Sequence, residues 1–118
     1  MNNLNNLKIP EKYKIFLFLL LSSLQKDDRI DEIILFGSCA KQKANEYSDI
    51  DIAIITKEQL SIEEELSFYD YLLGIDLNKY IDCDMLIISR EKFDSYKDSS
   101  FCIQKYIDME GVKLHESV

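Results

Sequence analysis

The chain has few of the residues that interrupt regular structure. Its 118 residues include one proline, three glycines, one histidine and no tryptophan. We find no low-complexity linker and no internal repeat. This length and composition predict a single domain over residues 1–118, with an Asn-rich start, residues 1–8, that is expected to be loosely held.

Basic residues are also scarce, with 14 Lys and Arg against 22 Asp and Glu, which gives a formal net charge of -8. Affinity for nucleic acid rests on Lys and Arg side chains that neutralise phosphates. The charge therefore argues against extended binding to DNA or RNA. A single nucleotide whose charge is offset by a metal ion remains compatible with it.

Paired cysteines and long apolar runs are absent as well. Cys39, Cys83 and Cys102 are scattered and contain no CxxC pair, so they predict neither a disulfide framework nor a zinc site. The longest apolar run, 15–21, has seven residues, whereas a membrane span needs about 20. The sequence thus predicts reduced thiols, a cytoplasmic location and no contact with a membrane.

Helix and strand patterns follow one another in the order helix, strand, strand, helix, strand, helix. Pro10 suits the first turn of a helix that reaches about Leu24, and its apolar middle predicts burial on all sides. Unbroken apolar runs predict buried strands at 32–36, 50–55 and 83–88, with a short terminal strand at 112–114. The fold class predicted is α+β, a β-sheet flanked by helices.

Two further helices are predicted from their first residues. Ser61 and Glu64 form a capping box, S-x-x-E, and a stripe that is expected to be buried follows at helical spacing: Ile62, Leu66, Tyr69 and Leu73. Ser99 is expected to cap a last helix that ends at Gly111. One side of that helix carries Ile103, Tyr106, Ile107 and Glu110.

Acidic residues interrupt two of the predicted strands. Asp49 and Asp51 are two residues apart, so their side chains leave the same face, and Asp84 opens the next strand. Grouped carboxylates repel one another and lose hydration, which a multivalent cation would offset. Ligands that are all oxygen favour Mg²⁺ or Mn²⁺ over zinc. Asp82, two residues before Asp84, is the alternative third carboxylate.

Gly37 and Ser38 end the first predicted strand. Glycine lets the backbone approach a ligand closely, and the N–H groups of a following helical turn can hold phosphate oxygens, to which Ser38 would add a hydroxyl donor. Either motif alone is weak evidence, because Gly-Ser is typical of plain turns and Asp-x-Asp is typical of solvated strand ends. Their combination is more restrictive.

Gly37-Ser38, ten intervening residues and Asp49-Ile50-Asp51 together resemble the signature of the DNA polymerase β nucleotidyltransferase superfamily. More narrowly, the sequence is similar to the minimal nucleotidyltransferase (MNT) group, which includes the antitoxins paired with HEPN toxins. The resemblance covers about residues 30–90, and the ending 106–114 is similar to the tails of such proteins. It implies a mixed sheet with helices packed against it.

The resemblance also implies roles for individual residues. Gly37 and Ser38 would bind the phosphates of the nucleotide, Asp49 and Asp51 would hold metal, and Asp84 would help to activate the attacking hydroxyl. Many family members carry Ala-Arg-Gly after the Gly-Ser, whereas this chain has Ala-Lys-Gln at 40–42. Lys41 or Lys43 would offer a point charge in place of the bidentate fork of arginine. The strength of triphosphate binding is therefore left open.

The function implied is metal-dependent transfer of a nucleoside monophosphate, AMP from ATP, to a hydroxyl group. The acceptor implied is a tyrosine of a partner HEPN toxin, so the chain would act as an antitoxin. A length too short for a separate substrate domain favours a site completed by a partner. A non-catalytic module that masks its partner is the alternative. Transfer to a small-molecule hydroxyl is disfavoured because such enzymes generally carry an added helical domain. Homo-oligomer formation is left open.

Overall fold

In the part of the chain that the structure describes, four strands form one mixed sheet in the order β3-β2-β1-β4. This structure is a computed structural model, and it describes residues 2–41, 44–45, 48–75, 81–96 and 103–117. The strands are β1 (Ile30–Phe36), β2 (Ile50–Thr56), β3 (Cys83–Ser89) and β4 (Val112–Glu116). The predicted strands all lie within these bounds, and the predicted α+β fold class is confirmed.

The strand directions bring three strand ends together. β1 is antiparallel to β2 and to β4, whereas β2 and β3 are parallel. The last residue of β1, Phe36, lies opposite Asp51 of β2, and Asp51 in turn lies opposite Asp84 of β3. One end of the sheet therefore carries the end of β1 and the starts of β2 and β3.

Short helices connect and cover these strands. In the described ranges they are α1 (Glu11–Leu24), α2 (Gly37–Ala40), α3 (Ile62–Ser67), α4 (Asp70–Leu73), α5 (Arg90–Tyr96) and α6 (Ile103–Glu110). The capping box predicted at Ser61 and Glu64 is present, with both hydrogen bonds at 3.1 Å. Ser99, the predicted cap of the last helix, lies outside the described residues. No helix in the described ranges is long and apolar enough to span a membrane.

Both faces of the sheet are covered, because alternate residues of β1 and β2 belong to different clusters. Ile33 and Leu35 pack with α1 in the larger core, whereas Ile34 packs with Phe93 of α5 and Ile107 of α6. This alternation follows from the two-residue period of a strand. It explains why the strands read as unbroken apolar runs.

A 3-10 helix, Asn2–Asn6, precedes α1, and Leu4 and Leu7 are buried in the larger core. The Asn-rich composition predicted a loosely held start, whereas these two leucines anchor it to the core. Their burial on folding offsets the entropy of ordering a polar segment.

The stripe predicted to be buried after Ser61 is exposed, and that prediction is wrong. Ile62, Leu66, Tyr69 and Leu73 are 38–79% exposed, whereas Phe68 is fully buried. The helix does not continue through this segment, because i to i+3 hydrogen bonds join residues 65–68 and 66–69 and separate α3 from α4. Phe68, which lies within this break, is the residue that reaches the core, and Arg29 lies over its ring, 4.3 Å from the centroid.

The predicted burial of α1 on all sides is also wrong. Ile15, Phe18 and Leu19 are 42–52% exposed, while Tyr13, Phe16, Leu17, Leu20, Leu21 and Leu24 are buried. α1 lies against one face of the sheet, so only part of its circumference can reach the core. On the side of α6 that carries Ile103, Tyr106 and Ile107, Ile107 is buried, and Ile103 and Tyr106 are about half exposed.

Candidate active site

Gly37 turns the chain from β1 into α2 with a backbone that other residues rarely adopt. Its φ is +74°, in the left-handed region that favours glycine. A Cβ atom added here would lie 2.5 Å from Oδ2 of Asp51. Only a glycine therefore lets the backbone come this close to the carboxylate of Asp51.

The single turn of α2 holds Ser38 half-buried at its second residue and Cys39 fully buried at its third. The thiol of Cys39 donates to the carbonyl oxygen of Asp49, with an S–O distance of 3.6 Å. Burial, followed by the charges of Asp51 and Asp49, raises the pKa of this thiol to about 11. Cys39 is therefore protonated at neutral pH, and it ties α2 to the start of β2 by packing and one weak hydrogen bond.

The structure brings the three predicted aspartates together. Asp51 and Asp84 are neighbours across the β2–β3 pair, and Asp49 lies two residues before Asp51. Asp51 is half-buried, whereas Asp49 and Asp84 are exposed. Burial raises the pKa of Asp51, and the negative charges of Asp84 and Asp49 raise it further. Their mutual repulsion is the electrostatic signature expected of carboxylates that share a site.

Asp82, the alternative third carboxylate, precedes β3 and is exposed. Its backbone carbonyl accepts a hydrogen bond from the N–H of Ile50, at 2.8 Å. Its side chain is not among the groups that raise the pKa of Asp51. The placement supports Asp84 over Asp82, and the choice stays a prediction.

The three aspartates can be tested for their fit to a divalent metal ion. Within the described ranges, no three or more His, Cys, Asp or Glu side chains are arranged so that they could hold a metal. The donor chemistry nonetheless fits Mg²⁺ or Mn²⁺, because all donors are carboxylate oxygens. Every cause that shifts the pKa of Asp51 raises it, so this end of the sheet has unbalanced negative charge that a cation would offset.

Lys41, the basic residue predicted beside the phosphates, follows α2 and is paired with α6. Its Nζ lies 3.2 Å from a carboxylate oxygen of Glu110, and both side chains are about half exposed. An exposed pair of this kind contributes little to stability and separates easily. Gln42 and Lys43, the other residues of the atypical segment, lie outside the described residues.

The family model described as "Polymerase beta, Nucleotidyltransferase" matches residues 20–95. The chain belongs to this nucleotidyltransferase family. The matched region contains Gly37, Ser38, Lys41 and the three aspartates, and it ends before α6. The family recognised from the Gly-Ser and Asp-x-Asp motifs is thereby confirmed.

The name of a curated relative agrees with this family assignment. A protein of Methanocaldococcus jannaschii, provisionally named a protein adenylyltransferase, is 40% identical over 45 residues, which is 38% of this chain and 44% of the relative. The match spans less than half the length of that relative.

Solved structures have the same fold at low sequence identity. A toxin–antitoxin with AMP-PNP has a TM-score of 0.57 at 19% identity, over 87% of this chain and 73% of that one. A toxin–antitoxin MntA–HpeT mutant has a TM-score of 0.53 at 21% identity, over 90% and 73%. A nucleotidyltransferase of Sulfolobus solfataricus, also a provisional name, has a TM-score of 0.51 at 14% identity, over 91% and 88%.

One feature of this nucleotidyltransferase could not be found from its sequence. A cavity of about 290 Å³ lies beside Gly37 and is lined by Phe36, Gly37, Lys41, Ile103, Tyr106 and Glu110. The pattern of α6 indicated an apolar side, but not which surface that side would meet. The contact depends on β4 pairing with β1, which brings the preceding helix to the end of β1.

Proposed function

We propose that this nucleotidyltransferase transfers AMP from ATP to a hydroxyl group, with Mg²⁺ or Mn²⁺ as cofactor. The observation that carries the proposal is the left-handed Gly37, whose backbone lies against the carboxylate of Asp51 while Asp84 lies beside Asp51 on the next strand. The backbone proposed to bind phosphate and the paired carboxylates therefore lie at the same end of the sheet. Transfer of a nucleotidyl group requires both.

Each residue has a distinct role in the proposed reaction. The N–H groups of the Gly37–Ser38 turn and the Ser38 hydroxyl hold phosphate oxygens, with Lys41 as an added positive charge once it leaves Glu110. Asp49 and Asp51 would hold the metal, which would neutralise charge on the phosphates. Asp84, which is exposed beside Asp51, accepts the proton of the acceptor hydroxyl.

The transfer balances as a single displacement at the α-phosphorus. The acceptor oxygen forms a bond to this phosphorus, and the bond from it to the oxygen that bridges to the β-phosphate breaks. Pyrophosphate leaves with that oxygen and its electron pair. The hydroxyl proton passes to the Asp84 carboxylate and from there to water.

We infer a protein acceptor, a tyrosine of a partner HEPN toxin, and an antitoxin role in the cytoplasm. Two observations on other proteins support a protein acceptor: the archaeal relative bears the name of a protein adenylyltransferase, and solved structures with this fold are toxin–antitoxin complexes, one with AMP-PNP. We infer the HEPN class of the partner from the resemblance of the Gly-Ser and Asp-x-Asp motifs to those of the MNT group.

Incubation of the chain with α-labelled ATP, Mg²⁺ and its HEPN partner tests the proposal. The expected result is label on a partner tyrosine, located by peptide mass spectrometry, together with release of pyrophosphate. Nucleotide binding without any transfer would exclude this catalytic function.

The double variant Asp49→Asn with Asp51→Asn provides the test of the carboxylates. We expect it to lose transfer while its circular dichroism spectrum stays that of the native chain. Glu63→Gln with Glu65→Gln is the matched control, because it removes two charges at the same spacing from α3, away from the site. Transfer should persist in this control.

A second candidate is a non-catalytic module that neutralises its partner by covering it. It is favoured by the ion pair that engages Lys41, the basic residue proposed to meet the phosphates. The same double variant separates the two functions. Neutralisation that survives in it unchanged would support masking, and its loss with folding intact would support catalysis.

A further inference from the structure

The cavity beside Gly37 adjoins the candidate active site and has no assigned role. Its volume of about 290 Å³ is just below the range for small-molecule sites, about 300–1,000 Å³. Phe36, Ile103 and Tyr106 give it a mainly apolar wall, and Lys41 and Glu110 supply the charged groups. An apolar wall with a few polar groups is typical of a site for a flat organic ring.

We propose that this cavity binds the base of the nucleotide, with Tyr106 as the stacking residue and Glu110 as the group that selects the base. The inference rests on the proposed function, because it assumes that the phosphates bind at Gly37 and Ser38. It assigns a role to α6, which lies beyond the residues that the family model matches.

The position of Gly37 links the two parts of the site. This residue lies against Oδ2 of Asp51 and also lines the cavity. Lys41 likewise belongs both to the segment after the Gly-Ser motif and to the cavity wall. A nucleotide with its phosphates at this turn therefore has the cavity next to it.

The lining groups match the chemistry of a base. Tyr106 is 55% exposed, so its ring is accessible for a base to stack on. The carboxylate of Glu110 accepts hydrogen bonds, so it favours bases with an exocyclic amino group, such as adenine. Uracil has exocyclic carbonyl oxygens in place of the amino group, and a carboxylate repels them. The expected preference is therefore ATP over UTP.

An acceptor tyrosine fits the cavity less well than the base does. Among the described residues that line it, none is Asp49, Asp51 or Asp84. The hydroxyl of an acceptor tyrosine must reach the carboxylate proposed to accept its proton, and that carboxylate is not part of this described lining. The base has no such requirement.

The test compares ATP with inorganic tripolyphosphate, which has the phosphates without the base. Both are titrated into the full chain with Mg²⁺ by calorimetry, for the wild type and for Tyr106→Ala, Tyr106→Phe and Tyr96→Ala. Tyr96 is the matched control, since it is an exposed tyrosine on α5 that does not line the cavity.

We expect Tyr106→Ala to weaken ATP binding about tenfold, as for loss of a base–aromatic stack, and to leave tripolyphosphate binding unchanged. Tyr106→Phe keeps the ring and should bind ATP as the wild type does, as should Tyr96→Ala. In Glu110→Ala the preference for ATP over UTP should decrease.

Four outcomes would overturn the inference. The first three leave the proposed function standing: in two of them, Tyr106→Ala weakens both ligands equally, or the wild type binds tripolyphosphate as tightly as ATP. In a third, Tyr106→Ala binds ATP normally but transfers less AMP to the partner, which would assign the cavity to the acceptor. In the fourth, the wild type binds neither ligand, and the proposed function fails as well.

Discussion

Replacement of Gly37 by alanine probes the backbone turn and the carboxylate beside it in one step. The backbone at this position has a φ of +74°, which costs an L-residue about 1–2 kcal/mol. The added Cβ would also lie 2.5 Å from Oδ2 of Asp51. Gly37→Ala should therefore destabilise the fold and displace the carboxylate proposed to hold metal.

The two effects can be given separate magnitudes. Moving the Asp51 side chain off its preferred rotamer costs about 0.5–1.5 kcal/mol, whereas alanine stabilises by about 0.4–1 kcal/mol through a less disordered unfolded chain. The net loss expected is about 1.5 kcal/mol, which for a domain of this size lowers Tm by about 6 °C. Transfer of AMP should fall by roughly 100-fold, as for a misplacement of about 1 Å in a reacting site.

Urea unfolding followed by circular dichroism measures the stability, with Gly74→Ala as the matched control. Gly74 has a φ of -84°, and a Cβ atom there would meet no atom of the described residues within 4 Å. This control should be as stable as the wild type or slightly more stable.

An Asp51→Ala background isolates the contact, because it removes the carboxylate that the new Cβ would meet. The loss caused by Gly37→Ala should then decrease by about 1 kcal/mol. Equal losses in both backgrounds would refute the proposed contact. A loss below about 0.3 kcal/mol in the wild-type background would refute the left-handed backbone.

Three further predictions concern charged groups. Hydrogen bonds from Arg29, and a weaker one from Tyr71, outweigh burial and lower the pKa of Asp27 to about 2. The ionised Asp27 therefore stabilises the fold by about 2 kcal/mol above pH 4, and this stabilisation is lost as pH falls towards 2. The urea midpoints of the wild type and Asp27→Asn should converge at that pH. Burial and neighbouring acids raise the pKa of Asp51, so the ionised carboxylate destabilises the fold as pH rises through the folded pKa. Asp51→Asn should therefore stabilise the metal-free protein at pH 7 and not below pH 4. Arg90→Ala removes a 2.7 Å ion pair from the buried Glu32 and should lower stability by about 2 kcal/mol, measured by thermal unfolding. This loss is smaller than for a fully buried pair because Arg90 is 32% exposed. A loss below about 0.5 kcal/mol, as for an exposed pair, would contradict this prediction.

The sequence predicts those parts of the fold that depend on local patterns. Unbroken apolar runs predicted the strands. These runs occur because both faces of the sheet are covered, so successive side chains on either face are apolar. The spacing of Asp49 and Asp51 predicted carboxylates on one face, and the structure places Asp84 next to Asp51. The family motif lies within one hairpin, so its parts are adjacent both in sequence and in space.

The remaining features depend on contacts that local patterns do not encode. The break between α3 and α4 contains no proline or glycine that would predict it. For that reason the burial predicted for the residues that follow, Tyr69 and Leu73, was wrong. The pair of Lys41 with Glu110 joins residues that are far apart in sequence. The cavity beside Gly37 likewise requires the pairing of β4 with β1, which follows from the topology of the whole sheet.

The apolar row on α1, formed by Ile15, Phe18 and Leu19, affects how the protein behaves in solution. About half of each of these side chains is exposed on a molecule with a net charge of -8. Repulsion between like-charged copies opposes association through such surfaces, and it acts over about 10 Å in 0.1 M salt. This repulsion weakens near the isoelectric point of about 4.6 and in concentrated salt. The isolated chain should therefore remain dispersed at neutral pH and low ionic strength, and self-associate in acid or in high salt.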